Sequence, residues 1–292
     1  MQLNSPLTAR SLILITTIST LSLAQETGPG EVVSGGAGNA GLTAPQTDPP
    51  AGFEVVRTGF ARGKVSMFEY EAKSGGTFRA TLYMPPASVS GKKLPVLYLL
   101  HGANGDEHDW IHEMHADAIL DNLHAEQKLE AMLVVMPSSL SVSARAEAGN
   151  SREEKIRAGM AFGQVLIEDL IPYVEANYPA LPHREQRALA GISMGGAAAL
   201  ATGIAHSEKF AWIGAFSGAG RRWSEPREKL SLLWLSVGDQ DTQAGSGMAA
   251  AATFFTEKKV PHEFHLRTGG HEPKVWMNDL YHFAPRLFQA GH

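Results

Sequence analysis

The sequence predicts an α/β protein: one domain on a mostly parallel central sheet, with antiparallel strands at its N-terminal edge and helices on both faces. Three observations predict it. Five short runs, at 95–100, 131–136, 187–192, 212–216 and 232–237, are apolar nearly throughout, as in strands covered on both sides. Helical stretches alternate with these runs, the pattern of strand–helix–strand units in a parallel sheet. No linker-like break interrupts residues 52–292.

Taken in order, the chain begins with Arg10 followed by Leu12-Ile13-Leu14-Ile15, Ile18, Leu21 and the small-residue exit Ser22-Leu23-Ala24. A basic start, a short apolar core and a small-x-small end read as a secretory signal, residues 1–24, cut after Ala24. The mature chain is therefore expected in the periplasm or secreted. No membrane anchor is expected, because the run is shorter than the about 20 apolar residues a spanning helix needs. Residues 25–51 are rich in Gly, Pro, Thr, Ala and Ser and contain no aromatic residue. Such a segment cannot bury enough area to offset its ordering entropy, so it reads as a disordered leader.

From residue 52 the texture is that of a folded domain. Residues 53–60, 64–71 and 77–83 are β-branched or aromatic, partly alternating, and separated by glycine-containing turns such as Ser74-Gly75-Gly76. They read as antiparallel edge strands. Helices are expected at 116–129, 162–177, 194–204, 247–258 and 274–287, with a last strand at 261–266. In the second of these helices Val165, Leu166, Leu170, Ile171, Val174 and Tyr178 recur at three and four residues as one apolar stripe. Pro172 inside that stripe predicts a kink.

Composition narrows the function. The net charge is -5 with no basic block, so nothing favours a nucleic acid or an anionic membrane as partner. The absence of cysteine excludes disulfides, a thiol nucleophile and cysteine-ligated zinc. His108, His112, His115 and His124 crowd together, but the next histidine after His112-Glu113 comes too soon for H-E-x-x-H, and no metal is expected. No Walker or dinucleotide loop appears, so no cofactor is expected either.

The strongest chemical signal is Gly191-Ile192-Ser193-Met194-Gly195, a buried strand running straight into a small-residue helix. Glycines flanking the serine let the chain turn sharply and lift the Ser193 hydroxyl to a helix N-terminus, where developing negative charge is stabilised. A serine hydroxyl is a weak nucleophile and needs a base oriented by a carboxylate. After the 232–237 strand, Gly238-Asp239-Gln240-Asp241 offers two carboxylates. Asp239 lies close enough to the strand end to act as a turn cap, whereas Asp241 sits further into the loop. The base expected is His271, in Gly269-Gly270-His271 after the last strand; His262, His265, His282 and His292 fall in a strand, a helix or the chain end. The Met194 N–H, with that of Ala103 from Leu100-His101-Gly102-Ala103-Asn104-Gly105, is expected to form an oxyanion hole. His101 precedes the serine at a strand end and is expected to brace its loop. Trp110 and Trp276 can wall an acyl pocket or pack in the core, and Arg221 can reach the pocket rim or sit solvated.

These motifs resemble the esterase branch of the α/β-hydrolase superfamily that includes carbohydrate esterase family 1, nearest to bacterial feruloyl and acetylxylan esterases. The resemblance rests on Tyr98-Leu99-Leu100-His101-Gly102, Asp109-Trp110, Asp121-Asn122-Leu123, Asp169 to Glu175 and the segment 184–196. It continues through 238–241, Gly269-Gly270-His271 and Val275-Trp276. It implies an α/β-hydrolase fold, a Ser193, Asp241 and His271 triad, and Met194 and Ala103 as oxyanion donors. It further implies a serine esterase acting on feruloyl esters of plant cell-wall xylan. Acetylxylan, polyester, siderophore and mycolyl-type esters are the alternatives. Ala103-Asn104 departs in size and polarity from the pair usual in the family.

Overall fold

The computed structural model describes residues 47–86, 91–147 and 161–289. The expected signal segment, 1–24, and leader residues 25–46 lie outside the described residues.

Eight strands form one sheet in the order β1-β2-β4-β3-β5-β6-β7-β8. They are β1 (Lys64–Glu71), β2 (Thr77–Met84), β3 (Val96–Leu100), β4 (Leu133–Pro137), β5 (Arg187–Ile192), β6 (Trp212–Phe216), β7 (Leu232–Gly238) and β8 (Glu263–Arg267). The β1–β2 and β2–β4 pairings are antiparallel, and β4-β3-β5-β6-β7-β8 run parallel. The continuous apolar runs are explained by where alternate residues go. Val96, Tyr98 and Leu100 of β3 enter one core, while Leu97 and Leu99 enter the other. With both faces covered, each of these five side chains is buried, at roughly 1.5–3 kcal/mol apiece.

The helices are α1 (Asp109–His112), α2 (Ala116–Ala125), α3 (Val142–Glu147), α4 (161–177), α5 (Met194–Ala205), α6 (Gly245–Glu257) and α7 (Pro273–Phe283). α4, α5 and α6 supply the first core; α1, α2 and α7 supply the second. Among the described residues no helix is long and apolar enough to cross a membrane.

Two expectations change in the structure. Residues 53–60 form no strand. The carbonyls of Phe53 and Val55 instead accept from Asn122 Nδ2 at 2.8 and 2.9 Å, and the Phe53 ring meets Tyr281 edge-on at 5.2 Å. The segment is thus tied to α2 and α7 by side chains, which alternation in sequence cannot reveal. At Pro172 the disturbance takes the form of a π turn over Leu166–Leu170, closed by the Ile171 N–H on the Leu166 carbonyl. Proline lacks the N–H that would reach back to Glu168, and that carbonyl accepts from Lys73 Nζ at 2.9 Å instead.

Residues 47–51, which composition groups with the leader, lie within the described part. Asp48 Oδ1 accepts from Asn278 Nδ2 of α7 at 3.4 Å.

Candidate active site

The site lies at the C-terminal ends of β3, β5, β7 and β8. β5 delivers Ser193 onto a turn with φ 51° and ψ -115°, a left-handed conformation for a residue with a β-carbon. That turn is held by its surroundings. The Ser193 N–H donates to Phe216 O at 2.8 Å, and its carbonyl receives the Ala197 N–H at 3.0 Å. The flanking glycines are required by close approach: a β-carbon on Gly195 would stand 2.3 Å from His101 O, and one on Gly191 would stand 2.6 Å from the Gly195 carbonyl carbon.

Two loops bring the partners. His271 Nε2 lies 2.9 Å from Ser193 Oγ, and His271 Nδ1 lies 2.7 Å from Asp241 Oδ2. The hydroxyl therefore donates to Nε2 while Nδ1–H donates to the carboxylate. Asp241 Oδ1 accepts from the N–H groups of Gln243 and Ala244, both at 2.9 Å. Burial works against this carboxylate, but the Ala244 N–H and His271 outweigh it and hold the carboxyl below its ordinary range. Asp239 acts elsewhere in the loop. Its Oδ1 accepts the Gly269 N–H at 3.0 Å, pinning the segment that carries His271.

The 101–105 loop closes the other side. His101 is buried; its Nδ1–H donates to Gly102 O at 2.7 Å and its Nε2 accepts the Ser139 N–H at 3.0 Å. Both nitrogens are used in one neutral tautomer, and burial holds the imidazole below its ordinary range. His101 is a brace. It fixes a turn in which the Gly105 N–H bonds Gly102 O at 3.2 Å and Asn104 takes φ 69°. Ala103, in that turn, and Met194, the first residue of α5, line the same cavity as Ser193.

Two cavities meet at this point, sharing Ala103, Ser193, Gln243 and His271. One, of about 360 Å³, extends over Met194, Ala197 and the 217–221 loop to Arg221. The other, of about 270 Å³, is bounded by Asp109, Glu113, Met114, Ile192, Pro273 and Trp276. Of the two tryptophans, Trp276 lines this second cavity and stands edge-on to the His271 ring at 5.1 Å. Trp110 does not wall a pocket: it is fully buried in the α1–α2–α7 core and donates Nε1–H to Leu100 O at 3.1 Å. Its place in a short helix directly under the 101–105 loop makes it a support for that loop. Gln243 belongs to no sequence motif, and its only signal there is a position two residues past Asp241. Among the described residues no cluster of three or more His, Asp or Glu side chains is placed to hold a metal ion.

A serine on a strained strand-to-helix turn, topping a sheet of this order, defines an α/β-hydrolase. Residues 72–287 match the family described as "Putative esterase", and the chain belongs to that family. It is 28% identical over 245 residues to an endo-1,4-beta-xylanase/feruloyl esterase of Xylanibacter ruminicola, covering 81% of this chain and 33% of that protein. An acetyl esterase of Caldicellulosiruptor saccharolyticus is 28% identical over 131 residues, covering 45% of this chain and 44% of that one. The chain thus spans less than half the length of these two relatives. The CE1 ferulic acid esterase of Anaeromyces mucronatus, solved without substrate, has the same fold: TM-score 0.75, 22% identity, 84% of this chain and 97% of that one.

Proposed function

We propose that the protein is a serine carboxylic-ester hydrolase acting on hydroxycinnamoyl, foremost feruloyl, esters of plant polysaccharide. The observation that carries the chemistry is the unbroken relay from Asp241 Oδ2 through His271 to Ser193 Oγ, at 2.7 and 2.9 Å. Ser193 Oγ attacks the ester carbonyl carbon as His271 Nε2 takes its proton, and Asp241 stabilises the imidazolium that forms. The tetrahedral oxygen accepts from the Met194 and Ala103 N–H groups, a donor of this kind being worth about 2.7–4 kcal/mol. The carbon–oxygen bond to the alcohol breaks as His271 returns the proton to it. Water then attacks the acyl-serine with the same histidine as base, releasing the acid.

For the substrate, support comes from the two cavities that meet at Ser193 and from the feruloyl esterase named among the relatives. An ester with two bulky halves fills both; an acetyl ester leaves one vacant. Arg221, at the end of the larger cavity, suits the phenolic oxygen at the far end of a hydroxycinnamoyl ring. The likeness to an acetyl esterase supports the second reading, acetylated xylan. The leader pattern supports export, with a mature N-terminus at Gln25 that N-terminal sequencing of the native protein would read. The deciding experiment compares methyl ferulate with methyl acetate. A higher kcat/KM on ferulate is expected, and a marked preference for acetate would replace the feruloyl assignment with the acetyl one.

A further inference from the structure

We infer that the cavity bounded by Trp276, Asp109 and Glu113 is the subsite for the alcohol half of the ester, and that it takes a neutral polyhydroxylated ring, a sugar. The inference rests on the esterase reading of Ser193 and His271 and adds which half of the substrate goes where.

During acylation the bond from Ser193 Oγ to the carbonyl carbon forms, the bond to the alcohol oxygen breaks, and that oxygen receives its proton from His271 Nε2. The leaving oxygen must therefore face the histidine. His271 borders both cavities, but the smaller one is built on the segment that follows it: Pro273 and Trp276 open α7, and the Trp276 ring packs on the His271 ring at 5.1 Å. The larger cavity is floored instead by the serine's own helix, through Met194 and Ala197, and by the loop after β6. Acyl groups bound to Ser193 belong on that side.

Charge separates the cavities further. Hydrolysis leaves the alcohol half neutral, and the charge of the released acid forms at Ser193, outside the smaller cavity's far wall. Asp109 and Glu113 give the smaller cavity two carboxylates, which oppose an anion but accept hydrogen bonds from hydroxyls. In the larger cavity the fixed charge is the guanidinium of Arg221. Burial raises the Asp109 carboxyl above its ordinary range. Asn104 and Gln243 add polar groups, while Met114, Ile192, Pro273 and the half-buried Trp276 supply apolar wall. An apolar wall and acceptors in one cavity match a sugar ring, which carries an apolar C–H face and a rim of hydroxyls.

The test uses two esters with one acyl group: methyl ferulate and the feruloyl ester of a methyl pentoside. The readout is the ratio of kcat/KM on the pentoside ester to that on the methyl ester, so that any general loss of activity cancels. In the unaltered protein the ratio should be about tenfold, the scale of a modest set of pocket contacts. Trp276→Ala and Glu113→Gln should each lower it by about three- to tenfold. Glu113 is exposed on the surface, so its variant folds even if the tryptophan variant does not. Arg221→Ala should slow both esters alike and leave the ratio in place. A ratio near one in the unaltered protein, or one that only Arg221→Ala moves, overturns the assignment. If methyl ferulate is not hydrolysed, the feruloyl reading fails by itself; the same ratio measured on acetyl esters then decides the alcohol subsite independently.

Discussion

The serine and the histidine reach the same point by different physical means. Ser193 is held by backbone and by lack of space: two main-chain hydrogen bonds fix its turn, and Gly191 and Gly195 abut each other and the His101 carbonyl. No ionisable side chain takes part in that hold. His271 sits on a loop fastened through carboxylates. Asp239 binds the Gly269 N–H, Glu272 Oε1 binds the Gly270 N–H at 3.0 Å, and Asp241 binds the imidazole itself. Beneath the loop, Arg267 at the end of β8 pairs with Asp279 of α7 at 2.8 Å, both buried. At the start of the same strand, Glu263 pairs with His265 and Arg286. The nucleophile arm is thus steric, and the base arm is electrostatic. Substitution should break the first through volume and the second through charge and pH.

The largest effect should come from the atom on which both arms converge. Ser193→Ala removes one hydroxyl from a cavity-lining turn, so it should leave the thermal unfolding midpoint nearly unchanged while lowering ester turnover by about 10⁴- to 10⁶-fold. A folded variant with comparable turnover would remove Ser193 from the mechanism. Next in size is the contrast between the two loop carboxylates. Asp241→Asn should lower kcat by about 10⁴, because an amide favours the wrong histidine tautomer. Asp239→Asn only weakens an exposed bond from the Gly269 N–H, which the amide oxygen can still accept, and should cost far less. The reverse order, with both variants folded, would exchange their roles.

Gly195→Ala probes the steric arm. Its β-carbon would meet the His101 carbonyl at 2.3 Å, so the elbow must shift, with a loss of about 1–3 kcal/mol in denaturant unfolding. Unaltered stability together with full activity would show the turn to be compliant. The smallest effect probes the electrostatic arm. Burial opposes the Glu263 carboxylate, but His265 and Arg286 outweigh it and hold the carboxyl at about 2 instead of 4.5. A carboxyl depressed on folding stabilises above its unfolded pKa, and that contribution is lost as pH falls through the folded value. With a discount for solvent screening at this partly exposed pair, the unaltered protein should therefore lose about 1 kcal/mol from this group between about pH 4.5 and pH 2. Glu263→Gln should flatten that part of the stability–pH curve. An identical acid limb in both proteins would place the acid-sensitive charges elsewhere.

Much of the fold was legible in the chain because its causes are local. β5 and β6 run from Arg187 to Ile192 and from Trp212 to Phe216, the spans their apolar runs mark, since a strand covered on both faces needs an apolar side chain at almost every position. The elbow is local too: glycine, serine and glycine within five residues satisfy one turn. What tertiary structure decided is which distant groups touch. Asp239 and Asp241 are the same chemistry two residues apart, and only the folded loop gives one the Gly269 amide and the other the imidazole. Trp110 and Trp276 look alike at helix starts, yet one is core under the 101–105 loop and the other walls a cavity. Residues 53–60 alternate like a strand, but the Val55 carbonyl goes to Asn122, 67 positions away. Sequence periodicity records what a residue buries against its own element. Contacts across 30 and 78 residues, such as those joining His271 to Asp241 and Ser193, depend on how the sheet is ordered and where its loops end.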